Sequence, residues 1–434
     1  MNTKMGCMAA ALIGATTAFA DVLVTDVKVQ PRSPWNGLVD IDYTIASDTP
    51  EADVYVNPVA YDGDRRVTLF PSTLTGDGAE TAVKAGKHRM TWNSQADLGV
   101  FSSAHFQIKM YAGKRLPRYM RIDLSSGSES DSYPVAFSVT GPDVANNACR
   151  STELWLRLVL PGEFWMGSKA EELGRGENED FHHVKISAPF YIGMFEVTQR
   201  QWELVMGGKP SHFVSTENSP LRPVENITYY DVRGQENPSG DSLDSTCFLA
   251  KLRTRTKTQA FDLPTEAQWE FACRAGTMTA LYTGENITFV SACAAVNKVA
   301  RNFANGWSDA APDPLNEMYG TAVVGSYIPN QLGLYDMIGN VWEFCRDGAN
   351  ENEHLGFQEV VDPLCANYFY DNGGGWGSHR TYRYYIARGG AYDSKASTCR
   401  AASRMEFCAA ETFNGITWRV STICGFRVAA EPQF

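Results

Sequence analysis

Five short runs between Asp21 and about Gly113 alternate apolar and polar residues, and no helical spacing separates them. They read "DVLVTDVKVQ", "LVDIDYTI", "ADVYVNPVAY", "HRMTWN" and "AHFQIKMYAG", with turn-rich gaps between. A period of two places alternate side chains on opposite faces of a strand. Short strands at that spacing predict an all-β sandwich of immunoglobulin or fibronectin type over 21–113, with a binding or spacer role. His88 and His105 stand alone in it, without the neighbours a metal site needs.

The first twenty residues have another texture. Lys4, the apolar stretch "MAAALIGATTAF" and the small-residue end at Ala20 are those of a secretory signal peptide. Cys7 precedes the apolar stretch, which does not suit a lipid-anchor cysteine. No later run is long and apolar enough for a spanning helix, so the expectation is a secreted or periplasmic chain with no membrane span. Loss of Lys4 leaves 37 basic against 50 acidic residues, which disfavours nucleic acid as a partner. Nine cysteines remain after Cys7, an odd number, and their pairing is not readable from sequence.

Residues 114–151 begin strand-like and turn polar and rich in Gly and Pro, as a connector would. From Thr152 to 434, glycines and aromatics become dense and helix signals are few. In "EVTQRQWELVMGG", Thr198 and Gln201 form a capping box, Trp202, Val205 and Met206 share a face, and Gly207 or Gly208 stops the helix. "LPTEAQWEFACRAGT" repeats the device with Thr265, Gln268 and Gly276, turning Trp269, Ala272 and Cys273 inward. A loop insertion at 234–242 precedes a third helix near 243–256. So much irregular backbone must be pinned by buried aromatics, bridges or cations.

Motifs for familiar catalysis are missing. There is no HExxH, no G-x-S-x-G elbow and no Walker loop, and "GGGWGS" (373–378) lacks the lysine of a phosphate site. The adjacent His182 and His183 have no third ligand nearby in sequence. In "GLYDMIGNVWEF", Asp336 and Glu343 lie seven apart around Gly339, so a tight fold brings both carboxylates to one point with the carbonyls of Gly339 and Val341. Such an oxygen set suits calcium, although the spacing is not that of an EF-hand. From the residues alone, a turn capped by Asp336 with Trp342 in the core is the preferred alternative.

Taken in order, "PGEFWMGS", "FYIGMFEVTQRQWELVMG", "RPVENITYYDV", "LPTEAQWEFACRAGT", "GTAVVGSYIPNQLGLYDMIGNVWEFCRD", "ARGGAY…CRAASR" and "GFRVAA" resemble the formylglycine-generating enzyme, or sulfatase-modifying factor, family over about residues 152–430. The resemblance implies an α+β, loop-rich fold related to the C-type lectin architecture. It also implies copper- and oxygen-dependent conversion of a sulfatase cysteine to formylglycine, with copper(I) held by two thiolates. The family spacing, counted from Gly390, puts those thiols at Ser394 and Cys399, so one copper ligand is a serine. "CRAASR" also resembles a structural cysteine-arginine segment of the family, and that is the preferred reading of Cys399. Cys408 and Cys424 are substitute partners outside the family pattern.

For calcium, the resemblance turns the preference towards a site at Asp336, Gly339, Val341 and Glu343. It adds a second, weaker one at Asn302, Phe303, Asn316 and Met318. A family-type bridge from Cys273 would end where Val428 stands. A branch of the family that holds iron with histidines does not fit, since the chain lacks that histidine set. The expected function is therefore a calcium-braced binding or accessory module for a peptide or glycan. The alternative is an oxidase acting on a sulfatase.

Overall fold

The computed structural model describes residues 22–99, 101–114, 116–214, 216–234, 242–306, 319–349, 359–365, 368–371, 381–408, 411–413, 416–418 and 422–432. The signal stretch, most of the 234–242 insertion and the 373–378 glycine loop lie outside them.

The five alternating runs are strands: β1 (Val22–Pro31), β2 (Leu38–Ser47), β3 (Tyr55–Asp62), and, after the short β4 (Val67–Leu69) and β5 (Leu74–Gly76), β6 (Gly86–Asn93) and β7 (Phe106–Gly113). They form two antiparallel sheets, β1-β2-β6-β5 and β4-β3-β7. In β2, Val39, Ile41, Tyr43 and Ile45 are buried while the residues between them are half-buried, as the period-two pattern requires. These side chains share one apolar cluster with Trp92 and Met90 of β6 and Phe106, Ile108 and Met110 of β7. A short helix, Ser94–Leu98, carries no apolar periodicity and escaped the sequence reading; Asn93 caps it.

The stretch expected to be a connector contributes two short strands to a sheet. β8 (Tyr119–Asp123) and β9 (Val135–Ser138) pair with each other, and β8 pairs with β10 (Glu153–Val159). The polar, Gly/Pro-rich composition belongs to the turns between them, where Ser125 and Ser132 are held by local hydrogen bonds. After β11 (Gly162–Met166), β12 (His182–Ile186), β13 (Phe190–Gly193) and β14 (Phe261–Asp262), strands are short until β15 (Trp342–Gly348). Then follow β16 (Glu359–Val361), β17 (Tyr368–Asp371), β18 (Thr381–Arg388), β19 (Arg404–Cys408), β20 (Glu411–Phe413), β21 (Ile416–Trp418), β22 (Cys424–Gly425) and β23 (Ala429–Ala430). The largest sheet runs β14-β23-β13-β10-β8-β9, and a second runs β17-β18-β15-β22 with β19 beside β18. Parallel pairs (β12/β16, β15/β22) sit among antiparallel ones.

Both expected capping boxes are formed, at Thr198 on helix Gln199–Met206 and at Thr265 on helix Glu266–Arg274. Gly207 closes the first in the left-handed region, but the second is closed one residue early by Ala275, itself left-handed, ahead of Gly276. A third box at Thr228 uses Asp231, not the Glu or Gln the pattern calls for. The third expected helix spans Phe248–Thr256.

The N-terminal sheets pack directly on this second region. The Glu163 amide donates to Thr68 Oγ1 at 2.8 Å and the Trp165 indole to the Arg65 carbonyl at 2.9 Å. Phe70 meets Phe271 edge-on. His183, on β12, is buried between Arg66 and Glu163, with Nδ1 3.0 Å from the Arg66 guanidinium. Among the described residues no helix is long and apolar enough to cross a membrane.

Candidate functional site

The loop Asp336–Glu343 lies at the centre of the second region because its backbone bends where few residues bend. Asp336, Gly339 and Asn340 all have positive φ. A Cβ on Gly339 would lie 2.3 Å from the Arg301 carbonyl, so only glycine fits there. The loop is tied down by Gly339 N–H to Gly389 O at 2.9 Å and Asn340 N–H to Arg301 O at 2.8 Å.

Around this loop the sequence motifs converge. Glu343 accepts two hydrogen bonds from Arg427, each 2.6 Å, and a third at 2.7 Å from the Trp269 indole. Arg427 spends its other donors on the carbonyls of Gly193 and Tyr335, both at 2.9 Å. Glu196 accepts from Asn340 Nδ2 at 2.6 Å and from the Val341 amide at 3.3 Å. Asp336 Oδ2 accepts from the Gly325 amide at 2.5 Å, while Oδ1 is buried with no hydrogen-bond partner.

Arg427 is therefore paired with Glu343 and feels the charges of two further buried carboxyls, Glu196 and Asp336. Burial, then the charges of Asp336 and Glu343, push Glu196 well above the ordinary carboxylate range. Burial raises Asp336 to about 6. Asp336 and Glu343 are both buried and within electrostatic reach of each other, and Glu343 is held by Arg427. Arg427 and Glu196 were not singled out from sequence, and Trp269 was expected only as an inward-facing residue of its helix.

Of the second expected cation set, Asn302 and Phe303 lie among the described residues. Asn302 is buried and uses its amide locally: Nδ2 donates to Asn297 Oδ1 at 2.8 Å, and Oδ1 accepts from the Ala304 amide at 2.9 Å. The Phe303 amide donates to the Ser394 carbonyl at 2.8 Å. Asn316 and Met318 lie outside the described residues.

The Ser394–Cys399 loop is built differently. Ser394 Oγ accepts from the Ala391 amide at 3.0 Å and closes a tight turn. Cys399 is wholly buried. Its Sγ faces the carbonyls of Ser394 at 3.8 Å and Ala391 at 4.0 Å, and burial pushes the thiol far up from its ordinary range. Gly390, at φ +86, lets the thiol pack against the backbone: a Cβ there would stand 3.1 Å from Sγ. Cys424 is buried on β22 with its thiol also raised, and the side chain of Cys408 lies outside the described residues. Among the described residues, Cys149, Cys247, Cys273, Cys293, Cys345, Cys399 and Cys424 are free thiols.

The arginines that flank Cys399 are committed elsewhere. Arg400 forms a two-pronged ion pair with Glu179 (2.6 and 2.9 Å) and reaches Glu172 at 2.7 Å. Arg404 pairs with Glu266 at 2.8 Å, and Arg388 bridges Glu266 and Glu270. Nearby, Glu225 accepts from the His212 and Phe213 amides at 2.7 and 3.1 Å through one oxygen; the other is buried without a partner. Burial raises this carboxyl to about 7. It too was not singled out from sequence.

Residues 142–431 match the family of sulfatase-modifying factor enzyme 1-like domains. The chain belongs to this family. The match begins upstream of the expected start at 152. Among sulfatase-modifying factor relatives, the formylglycine-generating enzyme of Thermomonospora curvata is 32% identical over 180 residues, covering 39% of this chain and 49% of its own. That of Mus musculus is 31% identical over 128 residues, 28% of this chain and 32% of its own. The "Chaperone protein LppX" of Paenibacillus barcinonensis is 33% identical over 177 residues, 36% of this chain and 61% of its own. The chain thus spans less than two thirds of each of these relatives. PvdO from Pseudomonas aeruginosa, a solved structure, aligns over 64% of this chain and 94% of its own at 21% identity, with a TM-score of 0.43.

Proposed function

We propose that this chain is an exported binding or accessory module on the sulfatase-modifying factor scaffold, and not a copper oxidase. The observation that carries this reading is the Ser394–Cys399 loop. A copper(I) site wants two thiolates, and here one position is a hydroxyl engaged with the Ala391 amide while the other is a buried thiol held in its protonated form. Thiolate, not thiol, is the metal ligand and nucleophile. The commitment of Arg388, Arg400 and Arg404 to buried carboxylates favours a structural role for "CRAASR".

Calcium is part of the proposal. The fit rests on Asp336 Oδ1, a buried carboxylate oxygen without a partner, beside Glu196 and Glu343. Three carboxyl groups against one guanidinium, two of them raised by burial, would ionise fully only beside a further positive charge, which a hard divalent cation would supply. Asp336 and the carbonyls of Gly339 and Val341 would hold it, with Glu343 shared between the cation and Arg427. Asn302, Phe303, Asn316 and Met318 are proposed as a weaker second set. The N-terminal sheets are read as an immunoglobulin- or fibronectin-like sandwich that spaces the module or adds binding surface, and the partner as a peptide or glycan.

The competing reading is an oxidase acting on a sulfatase cysteine. Titration of the reduced mature chain with copper(I) against a chelator, beside Cys399→Ser, separates them. Cys293 must be tested in parallel: hydrogen bonds from Thr288 and helix amides outweigh its burial and bring that thiol down to about 7. Weak binding indifferent to Cys399→Ser supports the module. Tight one-to-one binding lost in Cys399→Ser overturns it and warrants an oxygen-dependent assay on a Cys-x-Pro-x-Arg peptide.

A further inference from the structure

Where the N-terminal sheets meet the family domain, a half-open cleft of about 510 Å³ is walled by side chains from both. Tyr55 opens β3, Met120, Val135 and Phe137 come from the β8/β9 hairpin, and Tyr191 and Phe261 from β13 and β14. The volume is in the range of small-molecule pockets.

Three hydroxyl groups of this wall are engaged with the protein. The Tyr191 hydroxyl donates to the Pro117 carbonyl at 2.6 Å, Thr256 to the Leu252 carbonyl at 2.7 Å, and Thr258 Oγ1 accepts from the Ala260 amide at 3.2 Å. What faces the cleft is mainly hydrocarbon and aromatic ring. Phe137 is 53% exposed at its edge, with its ring 6.5 Å from that of Tyr191.

Among the described residues, the lining contains two charged groups, both ammonium: Lys114 and Lys257. Lys114 is held by Asp48 at 2.8 Å. Lys257 closes helix Phe248–Thr256 in the left-handed conformation, is exposed, and makes no ion pair with the described residues. In a chain of net charge −12, an apolar cleft whose described lining holds amines and no carboxylate is complementary to an apolar body carrying one negative charge.

We infer that this cleft binds an amphipathic monoanion of the medium-chain carboxylate class, its chain between Phe137, Met120 and Phe261 and its head at Lys257. The site is independent of the Ser394–Cys399 loop and of the Asp336 locus.

Isothermal titration of the full chain with decanoate, and with decanol as the uncharged comparator, tests it. Decanoate binds one-to-one and saturably. Lys257→Glu weakens decanoate about tenfold and leaves decanol within about twofold. Phe137→Ala, at an exposed position, weakens both. Circular dichroism checks that the variants fold. Absence of saturable decanoate binding overturns the inference. So does binding that neither variant changes, which places the ligand elsewhere, or equal loss of decanoate and decanol in Lys257→Glu, which removes the charge recognition.

Discussion

The Asp336–Glu343 locus and the Ser394–Cys399 loop lie on the same scaffold, and both are buried, yet they are stabilised in opposite ways. The first concentrates charge: Glu343 alone accepts three hydrogen bonds, two of them from Arg427. The second excludes it, packing a protonated thiol against Gly390 and two carbonyls. The difference teaches where chemistry is available. The charge-dense locus offers an unpartnered hard oxygen, whereas the loop offers one buried soft ligand beside a serine, where copper(I) wants two thiolates.

The largest expected effect comes from removing the guanidinium. Arg427→Met should destabilise the fold by about 3–5 kcal/mol in denaturant unfolding, because it leaves Glu343 buried beside Glu196 and Asp336 without a counter-charge. A loss below about 1 kcal/mol would mean the locus is wetter or looser than its geometry implies.

Chelation comes next. At calcium a hundredfold above its Kd, the folded chain should gain roughly 2–3 kcal/mol over the chelated form, read as a rise in Tm. Asp336→Asn should erase that difference. An unchanged Tm on chelation would leave Asp336 as a turn cap and remove calcium from the proposal.

The third prediction concerns pH. Glu225 is raised to about 7 and Asp347, also buried, to about 7. An acid with a raised folded pKa keeps its proton in the folded state after the unfolded chain has released it. Its stability contribution is therefore full below the unfolded pKa and is lost as pH rises towards 7. Tm should fall between pH 5 and 7.5, and Glu225→Gln should flatten that fall by roughly 1–2 kcal/mol, the full linkage being discounted for residual solvent. A variant with the wild-type slope would assign the titration to Asp347 or another group.

Smallest is the thiol itself. Cys399→Ala should cost about 1 kcal/mol as lost packing and leave calcium-dependent stability unchanged. A loss of calcium response in this variant would join two regions that the structure keeps apart.

Local features were legible in sequence because their determinants are adjacent. The capping box at Thr198 is closed by Gln201, three residues on, and Trp202 and Val205 share a buried face. The alternation in β2 names its buried residues one by one. Where two residues can serve one turn, pattern alone erred slightly, as with Ala275 ahead of Gly276. The two strands within the connector were less legible for a related reason: turns dominate its composition, but a neighbouring strand, β10, pairs with its short apolar run at β8.

By itself, then, the sequence determined the strand-rich start, the capped helices, the ordered motifs of the sulfatase-modifying factor family and the serine at position 394. Only the tertiary structure decided that Arg427 would hold Glu343 across 84 residues, that Asn340 would reach Glu196 across 144, and that Asp336 would be left with an unpartnered oxygen. The physical reason is that a charge's partner and its desolvation are properties of packing. Two carboxylates seven residues apart are visible in any sequence; whether they meet water, a cation or an arginine depends on chain brought from far away.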